Sequence, residues 1–344
     1  MVKGMLRQTA LLGVPLLAVV ALTGCSPTEP EPTSAPSAPT DQTAGETTGE
    51  EGADTSLAAA LAATPASDAA KTLFYFSDLS SPAAASLLDW MGELSTTPTF
   101  RSSALLGMDV FAVVADDLAG MLPAPGTPGA TAITISNGAD QASRFTGAAD
   151  PASVFEGAAG ERSDLGDGTL LVRRADGELD LAGDEFPAQL GARLNVAWLG
   201  ADTSISGTTR TTVEQWASMD GTSLAEHYTG IAACLGDVLS AAVLSATSAS
   251  TGSDVGVGVG PFSDGDAAAQ TLCIRTDDPD ATIASVKKAA AEGTLPDGTA
   301  ISDLLGTPTV EDAGSGWVRL RTADGKPDAL MQMMLRDDLR AFAG

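Results

Sequence analysis

A single histidine, His227, serves a chain of 344 residues, and that scarcity excludes more chemistry than any other feature. A zinc site of the H-x-x-x-H type needs two imidazoles, and a Ser-His-Asp hydrolase needs its histidine beside a nucleophile. His227, between Glu226 and Tyr228 in a helical run, reads as a surface or core-edge residue. Basic residues are scarce too: 18 Lys and Arg stand against 45 Asp and Glu, a formal charge of −27. Such a chain is a poor partner for nucleic acid and for anionic lipid. Aromatics make up 4% of the residues, too few for the stacking platforms of a sugar-binding cleft. Trp90, Trp198, Trp216 and Trp317 each sit in apolar periodic contexts and read as core.

Motifs that carry chemistry are missing as well. No D-x-[DN]-x-[DN]-G calcium loop occurs, and Asp277-Asp278-Pro279-Asp280 and Asp264-Gly265-Asp266 are too short to make one; both read as helix N-terminal signals. The nucleophile elbow G-x-S-x-G, the P-loop and a C-x-x-C redox pair are absent. In Gly256-Val-Gly258-Val-Gly260-Pro261 the third glycine of a dinucleotide fingerprint would fall on Pro261, so the run reads as a strand that twists or bends. Ser285-Val-Lys-Lys288 spells S-x-x-K, but inside a helix and without the K-T-G and S-D-N partners of penicillin-recognising enzymes. No catalytic residue, metal site or cofactor is assigned, and an unrecognised hydrolase is the minority reading.

What is present begins at the N-terminus. Lys3 and Arg7 precede an apolar run over residues 10–22, too short to span a bilayer comfortably and of the length of an export signal's core. It closes on Leu22-Thr23-Gly24-Cys25, which resembles the lipobox of bacterial lipoproteins. The resemblance implies cleavage between Gly24 and Cys25 and acylation of the Cys25 thiol, leaving the chain anchored on the outer face of the plasma membrane. Removing residues 1–24 takes away two basic residues and no acid, so the charge moves from −27 to −29. Residues 26–55 hold no aromatic, Ile, Leu, Val, Met, Lys or Arg, and cannot bury enough apolar area to offset the entropy of ordering. With Cys25 and Ser56 they read as a disordered tether, residues 25–56.

Cys234 and Cys273 form an even pair in an exported chain, which reads as a disulfide, the alternative being two buried thiols. Strands are expected over 72–76, 131–136, 193–199 and 270–275. Helical runs are expected over 82–94, 105–121, 140–148, 222–246, 280–291 and 326–342. An internal repeat organises them. At an offset of 148, eight of seventeen positions match between Asp164-Leu-Gly166-Asp-Gly168 through Asp176-Gly177 to Asp180 and Asp312-Ala-Gly314-Ser-Gly316 through Asp324-Gly325 to Asp328. Each copy reads as a strand closed by an Asp-Gly turn, with a strand and a helical run upstream. The expected fold class is α+β, or α/β, with two similar strand-helix-strand halves at 57–185 and 186–344.

Phe76-Ser77-Asp78-Leu79, Leu105-Leu-Gly107-Met-Asp109, the strand-to-helix segment from Ile133 to Phe145, and Ala232-Ala-Cys234-Leu-Gly236-Asp-Val-Leu239 together resemble a group of secreted actinobacterial lipoproteins. That resemblance implies location and fold and supplies no catalytic residue. Two functions follow from the sequence. One is a non-catalytic module, anchored through its lipid, that binds a protein or wall component of the envelope. The other is a carrier, either solute-binding or lipid-shuttling, motivated by two similar halves flanking a cleft and by the Met-rich run Met331 to Met334. The ligand itself is not specified.

Overall fold

Leu73-Phe-Tyr-Phe sets a large apolar side chain at every position, a pattern suited to a strand covered on both faces. In the computed structural model this segment is β1 (Leu73–Asp78), near the middle of a twelve-stranded sheet. The structure describes residues 56–80, 106–118, 120–124, 126–179, 186, 190–260, 269–326 and 328–342, all within one compact unit, Gly49–Gly344. Gly24, Cys25, the tether at 26–55, the helix expected at 82–94 with Trp90, Leu105, Pro261 and the acids at 264–266 lie outside the described residues.

The remaining strands are β2 (Thr131–Ser136), β3 (Gln141–Thr146), β4 (Glu161–Leu165), β5 (Gly168–Val172), β6 (Val196–Leu199) and β7 (Thr203–Gly207). Beyond them come β8 (Ser240–Leu244), β9 (Val255–Val259), β10 (Gln270–Arg275), β11 (Thr309–Gly314) and β12 (Trp317–Thr322). Their spatial order is β11-β12-β10-β9-β8-β1-β2-β3-β7-β6-β5-β4. Every ladder is antiparallel, and β1 pairs with β8 at the centre, Phe76 opposite Ala241. The fold is mixed α+β, with strands predominant.

Alternation along β1 sorts its side chains between two apolar layers. Phe74 and Phe76 join a cluster that includes Leu57, Leu61, Ile133, Ile205, Trp216, Ile231 and Leu235, supplied in part by helices Ser56–Ala62, Arg210–Ser218 and Ile231–Leu235. Leu73 and Tyr75 pack on the opposite face against a second cluster, where helices Pro279–Glu292 and Ala329–Leu335 place Val286, Leu330 and Met331 over Val257 and Leu272. A third cluster on that face gathers Met108, Phe111, Phe145 and Phe155. Each such side chain contributes on the order of 1.5–3 kcal/mol when fully buried. Between the second and third clusters runs a polar seam: the Thr134 and Ser143 hydroxyls lie 2.7 Å apart, and Thr134 also donates to the Gly107 carbonyl at 3.0 Å.

Four expectations are corrected. Residues 140–148 are not helical; most of them form β3, with Ala142 and Arg144 on one face and Ser143 and Phe145 on the other. A turn folds β3 onto β2, the Asn137 carboxamide oxygen accepting from the Ala139 and Asp140 N–H groups. The first half of the chain therefore lacks the expected strand-helix-strand order at this point. The run at 222–246 is not one helix: it breaks into Leu224–His227, Ile231–Leu235 and then β8. Gly230 and Gly236, at φ of 87° and 74°, reverse the chain where an α-helix would need negative φ. Within the stretch expected to be helical at 105–121, Asp109–Leu118 forms a 3₁₀ helix rather than an α-helix. The run at 326–342 divides into the α-helix Ala329–Leu335 and a 3₁₀ turn at Asp338–Phe342.

Candidate functional site

Valine and glycine alternate along β9, and that alternation decides what the glycine-rich segment does. Val255, Val257 and Val259 fill the second apolar cluster, while Gly256 and Gly258 face the helix Ile231–Leu235. A Cβ at Gly256 would stand 2.7 Å from Ile231 Cδ1, and one at Gly258 would stand 2.8 Å from Val238 Cγ1. The glycines bring helix and sheet together, a packing role in place of the twist or bend expected from the sequence. Beside them Cys234 on that helix is joined to Cys273 on β10, with the sulfurs 2.05 Å apart. Cys273 is register partner of Gly256, so close approach and covalent bond act on the same contact.

Trp198, Trp216 and Trp317 are buried, and their indole N–H groups donate to the carbonyls of Leu165, Ala63 and Thr229 at 2.9, 2.9 and 2.8 Å. They are core residues with their one polar atom satisfied. His227 is exposed near the ends of β9 and β10. Burial of its ring, then the charge of Lys71, pushes its pKa below the ordinary value; Asp254 opposes the shift and Arg275 adds to it. Asp254 is engaged with Arg275 at 3.3 Å, and among the described residues no hydroxyl hydrogen-bonds the His227 ring.

Ser285 lines an open cavity of about 140 Å³ together with Thr251, Ser253, Thr282, Ile274 and Phe342. Four hydroxyls over an apolar floor suit a small neutral polar group. None of the lining residues is an acid or base, and Lys288 lies on the exposed side of the helix, so Ser285 has no partner in the cavity to activate it. Among the described residues no group of three His, Cys, Asp or Glu is placed to hold a metal ion. No helix among them is long and apolar enough to cross a membrane.

Arg144 is a charged side chain that no local pattern in the sequence singles out. Placing residues 140–148 in a helix hid it; a strand register sets it on the apolar face beside Ala142, opposite Ile133 and Ile205. Its Nη1 donates to the Ala63 carbonyl at 2.8 Å, and its Nε is buried without a partner. Burial lowers its pKa from the ordinary guanidinium value, with the Asp202 charge acting in the opposite direction. Its apolar neighbours Ile133 and Ile205 are cross-strand partners, which the local sequence around Arg144 does not record. No protein-family model, curated protein or solved structure matches this chain.

Proposed function

We propose that the protein is a lipid-anchored extracytoplasmic binding module without catalysis of its own, presenting a rigid α+β body to a protein or wall component of the envelope. The Cys234–Cys273 disulfide carries this reading, because such bonds persist in oxidising compartments, which is where the Leu22-Thr23-Gly24-Cys25 segment would deliver the chain. Acylation at Cys25 by two or more chains would hold it durably, each buried CH₂ adding about 0.8 kcal/mol. The resemblance to secreted actinobacterial lipoproteins belongs to the same proposal. The carrier alternative has less support: Met331, Met333 and Met334, which motivated it, are buried among Leu330, Leu339 and Phe342 as core.

Two similar halves are part of the proposal. From the centre outward, β1-β2-β3 and β8-β9-β10 run in the same order, and the aligned repeats fall on the hairpins β4–β5 and β11–β12 near the two edges. On this reading β6 and β7 are an added hairpin lying between β3 and β5. Fractionation of cells making the Cys25→Ser chain tests the anchor. The altered chain leaves the membrane fraction while the unaltered one stays; equal partition of the two would refute lipidation at Cys25. In-cell photo-crosslinking tests the binding role, and capture of no specific partner at any growth stage would count against it.

A further inference from the structure

We propose that Asn137 is a site of self-modification: the turn between β2 and β3 promotes attack of the Gly138 nitrogen on the Asn137 carboxamide, converting it to aspartate and isoaspartate. Asn137 is followed by glycine, the residue whose missing Cβ crowds its own nitrogen least. Residues 137–139 are exposed to the water that the reaction consumes. Gly138 stands at φ 90°, and a Cβ placed on it would meet nothing within 4 Å, so no described atom crowds the turn there.

The hydrogen bonds of the turn fall on the atoms that react. Asn137 Oδ1 accepts from the Ala139 N–H at 3.1 Å and the Asp140 N–H at 2.8 Å, two donors aimed at the oxygen that gains negative charge when its carbon is attacked. The Gly138 N–H donates to the Ser136 hydroxyl at 3.0 Å, which fixes the plane of the attacking nitrogen. The Asn137 N–H donates to the Asp140 carbonyl at 3.0 Å and closes the loop that holds these groups. In the first step a bond forms between the Gly138 nitrogen and Asn137 Cγ, and the bond from Cγ to Nδ2 breaks. The Gly138 proton passes through water to the departing nitrogen, which leaves as ammonia. Water then opens the cyclic imide at Cγ, giving aspartate, or at the main-chain carbonyl of residue 137, giving isoaspartate. Either product adds a negative charge near Asp140, and isoaspartate lengthens the main chain by a carbon within the turn.

Asn195, the other asparagine of the sequence, is the opposite case. It is buried, its Nδ2 donates to the Ala175 and Glu178 carbonyls at 3.2 and 2.8 Å, and the branched side chain of Val196 crowds the nitrogen that would attack. The inference does not rest on the lipid anchor or on an envelope partner. Peptide mass mapping of the full chain in detergent, held at mildly alkaline pH in ¹⁸O-labelled water, tests it against the same chain kept unfolded in urea. Folded, Asn137 is expected to convert about tenfold faster than in urea, as roughly one hydrogen bond to a developing charge provides. The products should carry the heavy oxygen and include isoaspartate, with Asn195 intact. Asn137→Gln, whose ring would need a further atom, is expected to lose the conversion. A folded-state rate equal to or below that in urea would overturn the proposal, the turn then guarding the carboxamide. Aspartate formed without isoaspartate would overturn it too, because opening of the imide yields both.

Discussion

β3 and β10 hold corresponding places, each third outward from the central β1–β8 pair, and each turns its fourth residue, Arg144 or Cys273, toward the same apolar layer. Both residues fasten a covering segment to the sheet: Cys273 bonds covalently to Cys234, and Arg144 holds the Ala63 carbonyl. The surroundings differ accordingly. Over β9 and β10 the glycines let Ile231 and Leu235 press onto the sheet, and the fastening is dry and uncharged. Over β3 the fastening is a half-buried cation whose Nη1 is bonded and whose Nε is enclosed without a partner. A covalent staple uses up its valence. A guanidinium does not: on Arg144 the Nη1 donor is bonded to Ala63 and the buried Nε is left without a partner.

The comparison is broken most severely by removing the staple. Cys234→Ala with Cys273→Ala, two cysteines separated by 39 residues in sequence, is expected to lower stability by up to ~4 kcal/mol on the chain-entropy account. Denaturant unfolding with and without reductant checks it; a reduced wild type as stable as the oxidised one would show the bond to be idle. Next in size is Gly256→Ala, whose new methyl would meet Ile231 Cδ1 at 2.7 Å. A loss of about 1–3 kcal/mol is expected as the helix is pushed from the sheet. An unchanged midpoint would mean that Ile231 yields freely.

On the β3 side, Trp216→Phe removes one of the two donors to Ala63 and leaves a small void, at an expected ~1–2 kcal/mol. In the same variant the Arg144 Nε–H signal should shift, which ties the two fasteners to one carbonyl. The smallest effect is that of His227. Its folded-state pKa is depressed, so the unfolded chain binds the proton first. Stability should therefore decline as pH falls through about 6.5 and level off below the folded value. His227→Gln should flatten that slope in a thermal-unfolding series across pH 5 to 8, roughly the range where an unperturbed imidazole titrates; a slope unchanged in the variant would assign it to other groups.

Much of the fold was legible in residue pattern alone. The apolar run of β1, the strand of β10 and the helix Pro279–Glu292, opened by Asp278 as its cap, each carry their signal locally. The same holds for the buried tryptophans and for the absence of paired histidines, since composition and spacing carry both. Local signals failed where two periods coincide. In 140–148 the apolar residues Ala142, Phe145 and Ala148 recur every three residues, a helical spacing, yet the segment forms a strand, and in 222–246 alanines fit helix and strand alike. Ladder partners, together with glycines at positive φ, made the choice.

By itself the sequence determined the acidic balance, the lipobox-like segment near the N-terminus, the single histidine and the even pair Cys234 and Cys273, because these are properties of residue identity and order. Tertiary structure decided that the cysteines meet across helix and sheet, that Gly256 and Gly258 admit that helix, and that the Nε of half-buried Arg144 is enclosed without a partner. Each of these depends on which strand lies beside which. Pairing in an antiparallel sheet is set by contacts between residues far apart in the chain, which no local pattern records.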